Sequence, residues 1–306
     1  MNIKIFDYKI IIPALLALCS CSQEHETEVP KDARDTPMTF SVSYPEQTRV
    51  AGSSFENNDK IGLFVVEQGK PFEIGGNLVN NEALTFNGTQ WSASQTLFWD
   101  NGTFNAYGYY PYTKTVSSIE DLPFSVQTDQ RTTNVVNGIN GFEASDFLFA
   151  KTEGLAASNE PIHLNFKHIM SKLSITLVKG DDFEGELPTD AKVYIHSTYP
   201  EATIDLNAGV ATVNGRTSRT TIIAKQDGDY NFSAVIVPQR IANRMPLIEV
   251  EMKGVAYLFE STFLFKPGIN HNVRLIIEEN PEQIKIEIGG ELQNWQKQTV
   301  KNEREF

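Results

Sequence analysis

The sequence predicts an all-β protein of sandwich type, on three observations. Apolar and polar residues alternate with a period of two along most of the chain. Asn-Gly and Asp-Gly turn signals recur between the alternating stretches. No amphipathic helix longer than two turns can be drawn. The pattern is plainest in Met38-Thr39-Phe40-Ser41-Val42-Ser43-Tyr44 and recurs at 60–66, 103–110, 173–178, 192–196, 230–237, 247–252, 257–265 and 272–277. Asn87-Gly88, Asn101-Gly102, Asn137-Gly138, Asn214-Gly215 and Asp227-Gly228 punctuate it. Half-buried strands of this kind close on one another as packed sheets.

The N-terminus predicts where the chain resides. Lys4 and Lys9 precede an apolar run from Ile10 to Leu18, which ends in Leu18-Cys19-Ser20-Cys21. A basic start, an apolar stretch too short to span a bilayer and a small residue before cysteine make an export leader. Leucine at −3, serine at −1 and cysteine at +1 form a lipobox, so residues 1–20 are expected to be a lipoprotein signal peptide and Cys21 the lipidated thiol. Cys19 fits less well, because Leu18 would then fill the small-residue position. An ordinary secretory signal is the competing reading. Acyl chains at Cys21 would anchor the chain to a membrane, each buried methylene contributing about 0.8 kcal/mol. Residues 21–36 are polar, acidic and poor in apolar side chains, and are expected to form a disordered tether.

The 286 residues from Cys21 onward suit two domains of ordinary size. The chain carries a formal charge of −13; the leader holds Lys4, Lys9 and Asp7, so its removal leaves −14. Such an acidic body argues against nucleic acid, whose phosphates need Lys and Arg, and against electrostatic docking on anionic lipid. Cys19 leaves with the leader, so no disulfide is expected and stability must come from burial. The break between domains is expected in the small, polar stretch 152–161, giving a first β-sandwich at 37–158 and a second at 159–295. Residues 296–306 form a charged tail expected to be loose.

Signatures of enzyme chemistry are missing. The sequence contains no G-x-S-x-G, no H-E-x-x-H, no P-loop and no G-x-G-x-x-G after a strand. His25, His163, His168, His196 and His271 are scattered without a second ligand at zinc spacing, so no metal or cofactor is expected. Asp181, Asp182, Glu184 and Glu186 could hold calcium, but a calcium loop needs ligands at defined offsets and a sharp glycine turn, and an acidic surface loop is the preferred reading. The crowd of Trp91, Trp99, Phe104, Tyr107, Tyr109, Tyr110 and Tyr112 has two readings. Exposed, these rings would make a platform that stacks on sugar C–H faces. Buried, alternate residues of one strand would fill a core on one side, and this reading is the preferred one.

Six segments in the same order carry a resemblance. They are F-E-N-N-D-K-I-G-L-F (55–64), F-N-A-Y-G-Y-Y-P-Y (104–112), D-F-L-F-A-K (146–151), L-N-F-K-H-I-M-S-K-L-S-I (164–175), V-I-V-P-Q (235–239) and F-K-P-G-I-N-H-N-V (265–273). Together they resemble the fimbrillin-like lipoproteins of Bacteroidales, the subunits of type V pili. The acidic residues after Cys21 also resemble the surface-export pattern of lipoproteins in that group. The resemblance implies two tandem transthyretin-like antiparallel β-sandwich domains. It also implies a structural or adhesive, non-enzymatic role in a cell-surface fimbrium on the outer face of the outer membrane. The implied partners are other fimbrial subunits and a host or bacterial surface receptor. A tip or accessory position is slightly favoured over shaft or anchor. The alternative is a monomeric surface lipoprotein that binds glycan through exposed aromatics.

The resemblance further implies assembly by protease-triggered strand exchange, which singles out residues at both ends. Cutting after Arg34 would leave 38–44 in place, whereas cutting after Arg49 in P-E-Q-T-R-V-A-G would remove lipid and strand together. Arg49 is therefore the candidate cleavage site, with an ordinary solvated loop arginine as its bland counterpart. Met38, Phe40, Val42 and Tyr44 would form the displaced strand. Ile284, Ile286 and Ile288 have the alternation of a donor strand, although the same residues suit a strand closing the chain's own sheet, which is slightly preferred.

Overall fold

The computed structural model describes residues 32–45, 54–133, 139–242 and 245–279, together with the backbone of 285–288 and 296–297. Cys21, Arg49 and Ile284 lie outside the described residues, as do the leader and most of the tether. Within them the protein is all-β: two single-turn 3₁₀ segments, Ala33–Asp35 and Glu143–Ser145, accompany strands arranged in several sheets. Among the described residues no helix is long and apolar enough to cross a membrane.

The first large sheet runs Trp91–Ser92, Val79–Phe86, Lys60–Glu67, Phe104–Tyr110, Leu148–Leu155, Lys167–His168, with all neighbours antiparallel. Its two central strands depart from the expected half-buried alternation. Lys-Ile-Gly-Leu-Phe-Val-Val-Glu is buried at all six inner positions, and Phe104–Tyr110 at all but Asn105. The reason is that the sheet is a middle layer. Ile61, Leu63, Val65, Phe104, Ala106 and Tyr110 join a core with Met38, Ile162 and Leu164 on one side. Phe64, Val66, Tyr107 and Tyr109 join a second core on the other, shared with the C-terminal sheets. Apolar layers on both faces produce a continuous apolar run.

The second large sheet runs Lys225–Gly228, Asn231–Ile236, Ser171–Lys179, Ile269–Ile277, Lys285–Ile288. Here Ser171–Lys179 and Ile269–Ile277 alternate as expected, burying every second residue, whereas Asn231–Ile236 is buried at every position after the first. Ser171–Lys179 and Ile269–Ile277 run parallel over eight register pairs, from Lys172↔Asn270 to Lys179↔Ile277. The sandwich is thus mixed, not purely antiparallel, because a long excursion separates the two strands and brings the chain back in the same direction. A four-stranded sheet, Thr220–Ile223, Lys192–Thr198, Pro246–Met252, Val255–Glu260, lies over the same core.

Three other features differ from expectation. The stretch 152–161 is not wholly unpatterned, since residues 152–155 complete the strand Leu148–Leu155. Leu122–Ser125 pairs with Glu201–Asp205, so N-terminal and C-terminal portions share a three-stranded sheet with Val210–Val213. Gln296–Lys297, placed in the loose tail, pairs parallel with Ile269 and Asn270.

Candidate functional site

The first strand and the slot that holds it form the candidate site. Thr36 and Met38 pair antiparallel across Leu97 and Trp99: the Met38 amide donates to Leu97 O at 2.7 Å and the Trp99 amide to Thr36 O at 3.0 Å. The chain then crosses to a second partner, and Phe40–Ser43 runs parallel to Ile162–Asn165 with Phe40 opposite Ile162 and Val42 opposite Leu164. Parallel pairing is unexpected for a first strand, and the strand that receives it was not among the alternating stretches read from the sequence. The Ser43 hydroxyl closes the far end on Asn165 Oδ1 at 2.5 Å.

The period of two aims one side of this strand inward. Met38 is 6% exposed, while Phe40, Val42 and Tyr44 are half-buried against the same core. Tyr44 meets Phe55 edge-on at 5.0 Å and His168 at 5.9 Å. Phe55 is the hub of this end, with Trp91, Tyr110 and Phe166 at 4.9, 5.6 and 5.8 Å. His168 Nδ1 lies 2.7 Å from Asp146 Oδ2 in a buried pair. Burial, with the carboxylates of Asp146, Glu143 and Asp59 nearby, pushes the Tyr44 phenol far above its ordinary range. Burial likewise raises the Asp59 and Glu143 carboxyls. The contact between Tyr44 and Phe55 brings together the two sides of the span 46–53, in whose sequence Arg49 falls.

The other sequence-predicted residues fall as follows. Ile286 stands opposite Leu275 and Ile288 opposite Val273, so the backbone of this strand occupies the chain's own sheet. Trp91, Trp99, Phe104, Tyr107, Tyr109 and Tyr110 are buried and Tyr112 is partly buried, which removes the exposed aromatic platform. They fill cores on both faces of the strand, not on one side only. Asp182 and Glu184 serve structure: the Glu279 amide donates to Asp182 Oδ1 and the Glu184 amide to Glu279 Oε2, both at 3.3 Å. Among the described residues no group of three or more His, Cys, Asp or Glu is placed to hold a metal. Sequence reasoning missed the wall at Leu97 and Trp99, which carries no strand pattern, and the role of Phe55.

The six motif segments meet in space. Gly62 of the first stands opposite Tyr109 of the second, and Leu148 and Phe149 of the third opposite His168 and Lys167 of the fourth. Gly268 of the last takes φ +66° and donates to Met170 O of the fourth at 2.8 Å.

Comparison with known proteins accords with this arrangement. A curated protein of Bacteroides ovatus, provisionally named fimbrium tip subunit Fim1C, is 28% identical over 201 residues. The match covers 56% of this chain and 35% of that protein, so this chain corresponds to about a third of the relative's length. A crystal structure from Bacteroides uniformis, provisionally described as a cell adhesion protein, superposes with a TM-score of 0.64 at 18% identity, covering 85% of this chain and 98% of the other. A second such protein, from Bacteroides ovatus, gives 0.63 at 16% identity and covers 88% and 98%. At these identities the structures show a shared fold. The family pattern described as fimbrillin-like matches residues 48–295, from just beyond the first strand through both large sheets, and this chain therefore belongs to the fimbrillin-like family, a structural and not an enzymatic one.

Proposed function

We propose that the chain is a lipid-anchored subunit of a cell-surface fimbrium that is activated by losing its first strand. Cys21 carries the lipid on the outer face of the outer membrane, a protease cuts after Arg49, and the segment bearing Met38, Phe40, Val42 and Tyr44 leaves with the anchor. The vacated slot takes a strand from another subunit. The relative's name favours a tip or accessory position. The body is two tandem transthyretin-like sandwiches. The pairing of Ile162–Asn165 and Lys167–His168 with N-terminal strands favours a junction after His168, later than 159.

One observation carries the reading: this segment fills a core yet is joined to the body through backbone edges and a single connection. It inserts four apolar side chains beside Leu164 and Phe166, and the chain continues through 46–53. Cutting that connection leaves every strand of the first large sheet paired. A fully buried apolar side chain contributes roughly 1.5–3 kcal/mol and a half-buried one less. The cut segment is thus held by several kcal/mol and departs slowly unless another strand replaces it. An incoming strand with the same period would recover both backbone edges and the pockets.

The test is limited trypsin digestion of the intact chain, with N-terminal sequencing and sizing of the products. The expected result is a body beginning at Val50 that keeps its fold and then forms higher-mass species. A stable core that still begins upstream of Met38, or a Val50 body that stays monomeric on prolonged incubation, would overturn the proposal.

A further inference from the structure

A built polar recess lies on the outer face of the four-stranded sheet, away from the slot. Ile195 pairs with Ile222 and Thr198 with Thr220, so His196 and Ser197 together face Thr221. Two residues opposite one make a bulge, a device that re-aims side chains. Ser197 pays for it with a left-handed φ of 61°, uncommon for a residue with a side chain. His196 is thereby set in a chain of polar contacts, Nδ1 2.9 Å from Thr221 Oγ1 and Nε2 2.9 Å from Glu249 Oε2. Arg219 donates to Ser197 O at 3.2 Å and holds its guanidinium 4.8 Å over the Tyr199 ring.

These groups line a recess of about 370 Å³, and the rest of its lining includes Pro246 and Leu258. Leu258 is 45% exposed, an unusual amount for a leucine beside a buried layer. Ligand recesses run from about 300 to 1,000 Å³, so this one has room for a single small ring.

We propose that this recess binds one pyranose unit of a neutral saccharide. A pyranose presents an apolar C–H face beside a rim of hydroxyls, each both donor and acceptor. The recess offers the matching halves: an apolar patch at Leu258 and Pro246, a carboxylate acceptor at Glu249 and guanidinium donors at Arg219. Neighbouring hydroxyls satisfy an acceptor and a donor together. With Arg219 and Glu249 both on its lining, the recess carries no net charge preference for an anion or a cation, and a neutral polyol, whose hydroxyls both donate and accept, uses both groups. Arg219, stacked and hydrogen-bonded beforehand, and Glu249, held by His196, lose little freedom on binding. The site does not depend on strand exchange, so the uncut chain binds as well as the cut one.

The test uses the full chain and three probes: methyl β-galactoside, methyl α-mannoside and N-acetylglucosamine. Saturation-transfer NMR reads the sugar, and the imidazole resonances of His196 read the site. At least one probe is expected to bind with a millimolar Kd and to shift His196. Glu249→Gln and Arg219→Met should each weaken that binding by about tenfold or more. Leu258→Ser, which leaves the polar contacts intact, should weaken it too and serves as the second reading if either polar variant folds poorly. The proposal is overturned if none of the probes moves His196 at up to about 50 mM. Binding that is unchanged in Leu258→Ser and a folded polar variant overturns it equally.

Discussion

The Tyr109 ring lies over Gly62, its register partner on the neighbouring central strand, and occupies the space a Cβ at Gly62 would need. Its hydroxyl continues past the strand to Asn81 Oδ1 at 2.6 Å and Thr113 O at 3.0 Å. Gly62→Ala would drive the ring out of this seat and strand both acceptors. A loss of about 2–4 kcal/mol in unfolding free energy is expected by chemical denaturation, against about 1–2 for Tyr109→Phe, which keeps the packing. Equal losses in the two variants would show that the ring packs elsewhere.

Gln130 uses its side-chain amide as a stretch of backbone. Nε2 donates to Val235 O at 2.7 Å and Oε1 accepts from the Val235 amide at 2.8 Å, where the strand Asn231–Ile236 has run past its neighbour Lys225–Gly228. Gln130→Leu leaves a buried amide and carbonyl without these partners, and about 2–4 kcal/mol of stability should go with them. Hydrogen exchange at the Val235 amide should accelerate more than at Ser233, two residues along the same strand edge, where Lys225–Gly228 still pairs; uniform acceleration would point to global loosening alone.

The pH dependence of stability has a traceable source in His271. Burial, and then the charge of Lys266, lower its pKa from 6.5 to about 4. Geometry agrees, since Nε2 accepts from the Lys266 amide at 3.2 Å and the ring sits 5.1 Å from Phe263, an arrangement that wants the neutral form. Below its ordinary pKa the unfolded chain takes up a proton that the folded chain refuses. Stability from this group is complete above about pH 6.5 and drains as pH falls to about 4, by at most about 3 kcal/mol. The raised Asp59 and Glu143 carboxyls act in the opposite sense as pH falls, so the comparison must be differential. His271→Leu should flatten the melting-temperature slope between pH 6.5 and 4 relative to the parent; parallel slopes would refute the assignment.

The slot makes a kinetic prediction. Met38 is the most deeply buried side chain of the first strand. Met38→Ala should cost about 2–3 kcal/mol through lost contact and a cavity. Once the connection at Arg49 is cut, that loss should appear as release of the N-terminal segment accelerated by about 30- to 150-fold. Phe40→Ala, at a half-buried position, should accelerate it less. Release rates unaffected by both would mean that backbone pairing alone holds the segment.

Sequence by itself determined the fold class, the longer C-terminal strands and the family. Most of these strands are half-buried, and a period of two is what a sheet with one wet face imposes, as in Ser171–Lys179 and Ile269–Ile277. Turn chemistry was equally local: Asn87 accepts from the amides of Thr89 and Gln90 within its own hairpin. Val79–Phe86 escaped notice because its Asn and Glu side chains hide the alternation, and Glu201–Asp205 because its alternation spans only five residues.

Tertiary structure alone decided what depends on partners distant in sequence. The central strands are buried on both faces because a second layer arrives from more than one part of the chain, and this turned the aromatic cluster from a surface into a core. The parallel partner of Phe40–Ser43, the Leu97 and Trp99 wall, and the meeting of His196, Thr221 and Glu249 across three strands all join residues far apart along the chain. A periodic pattern states which side of a strand faces inward. It does not state which strand lies opposite, since backbone hydrogen bonds are the same for every sequence and only the packed whole selects the pairing.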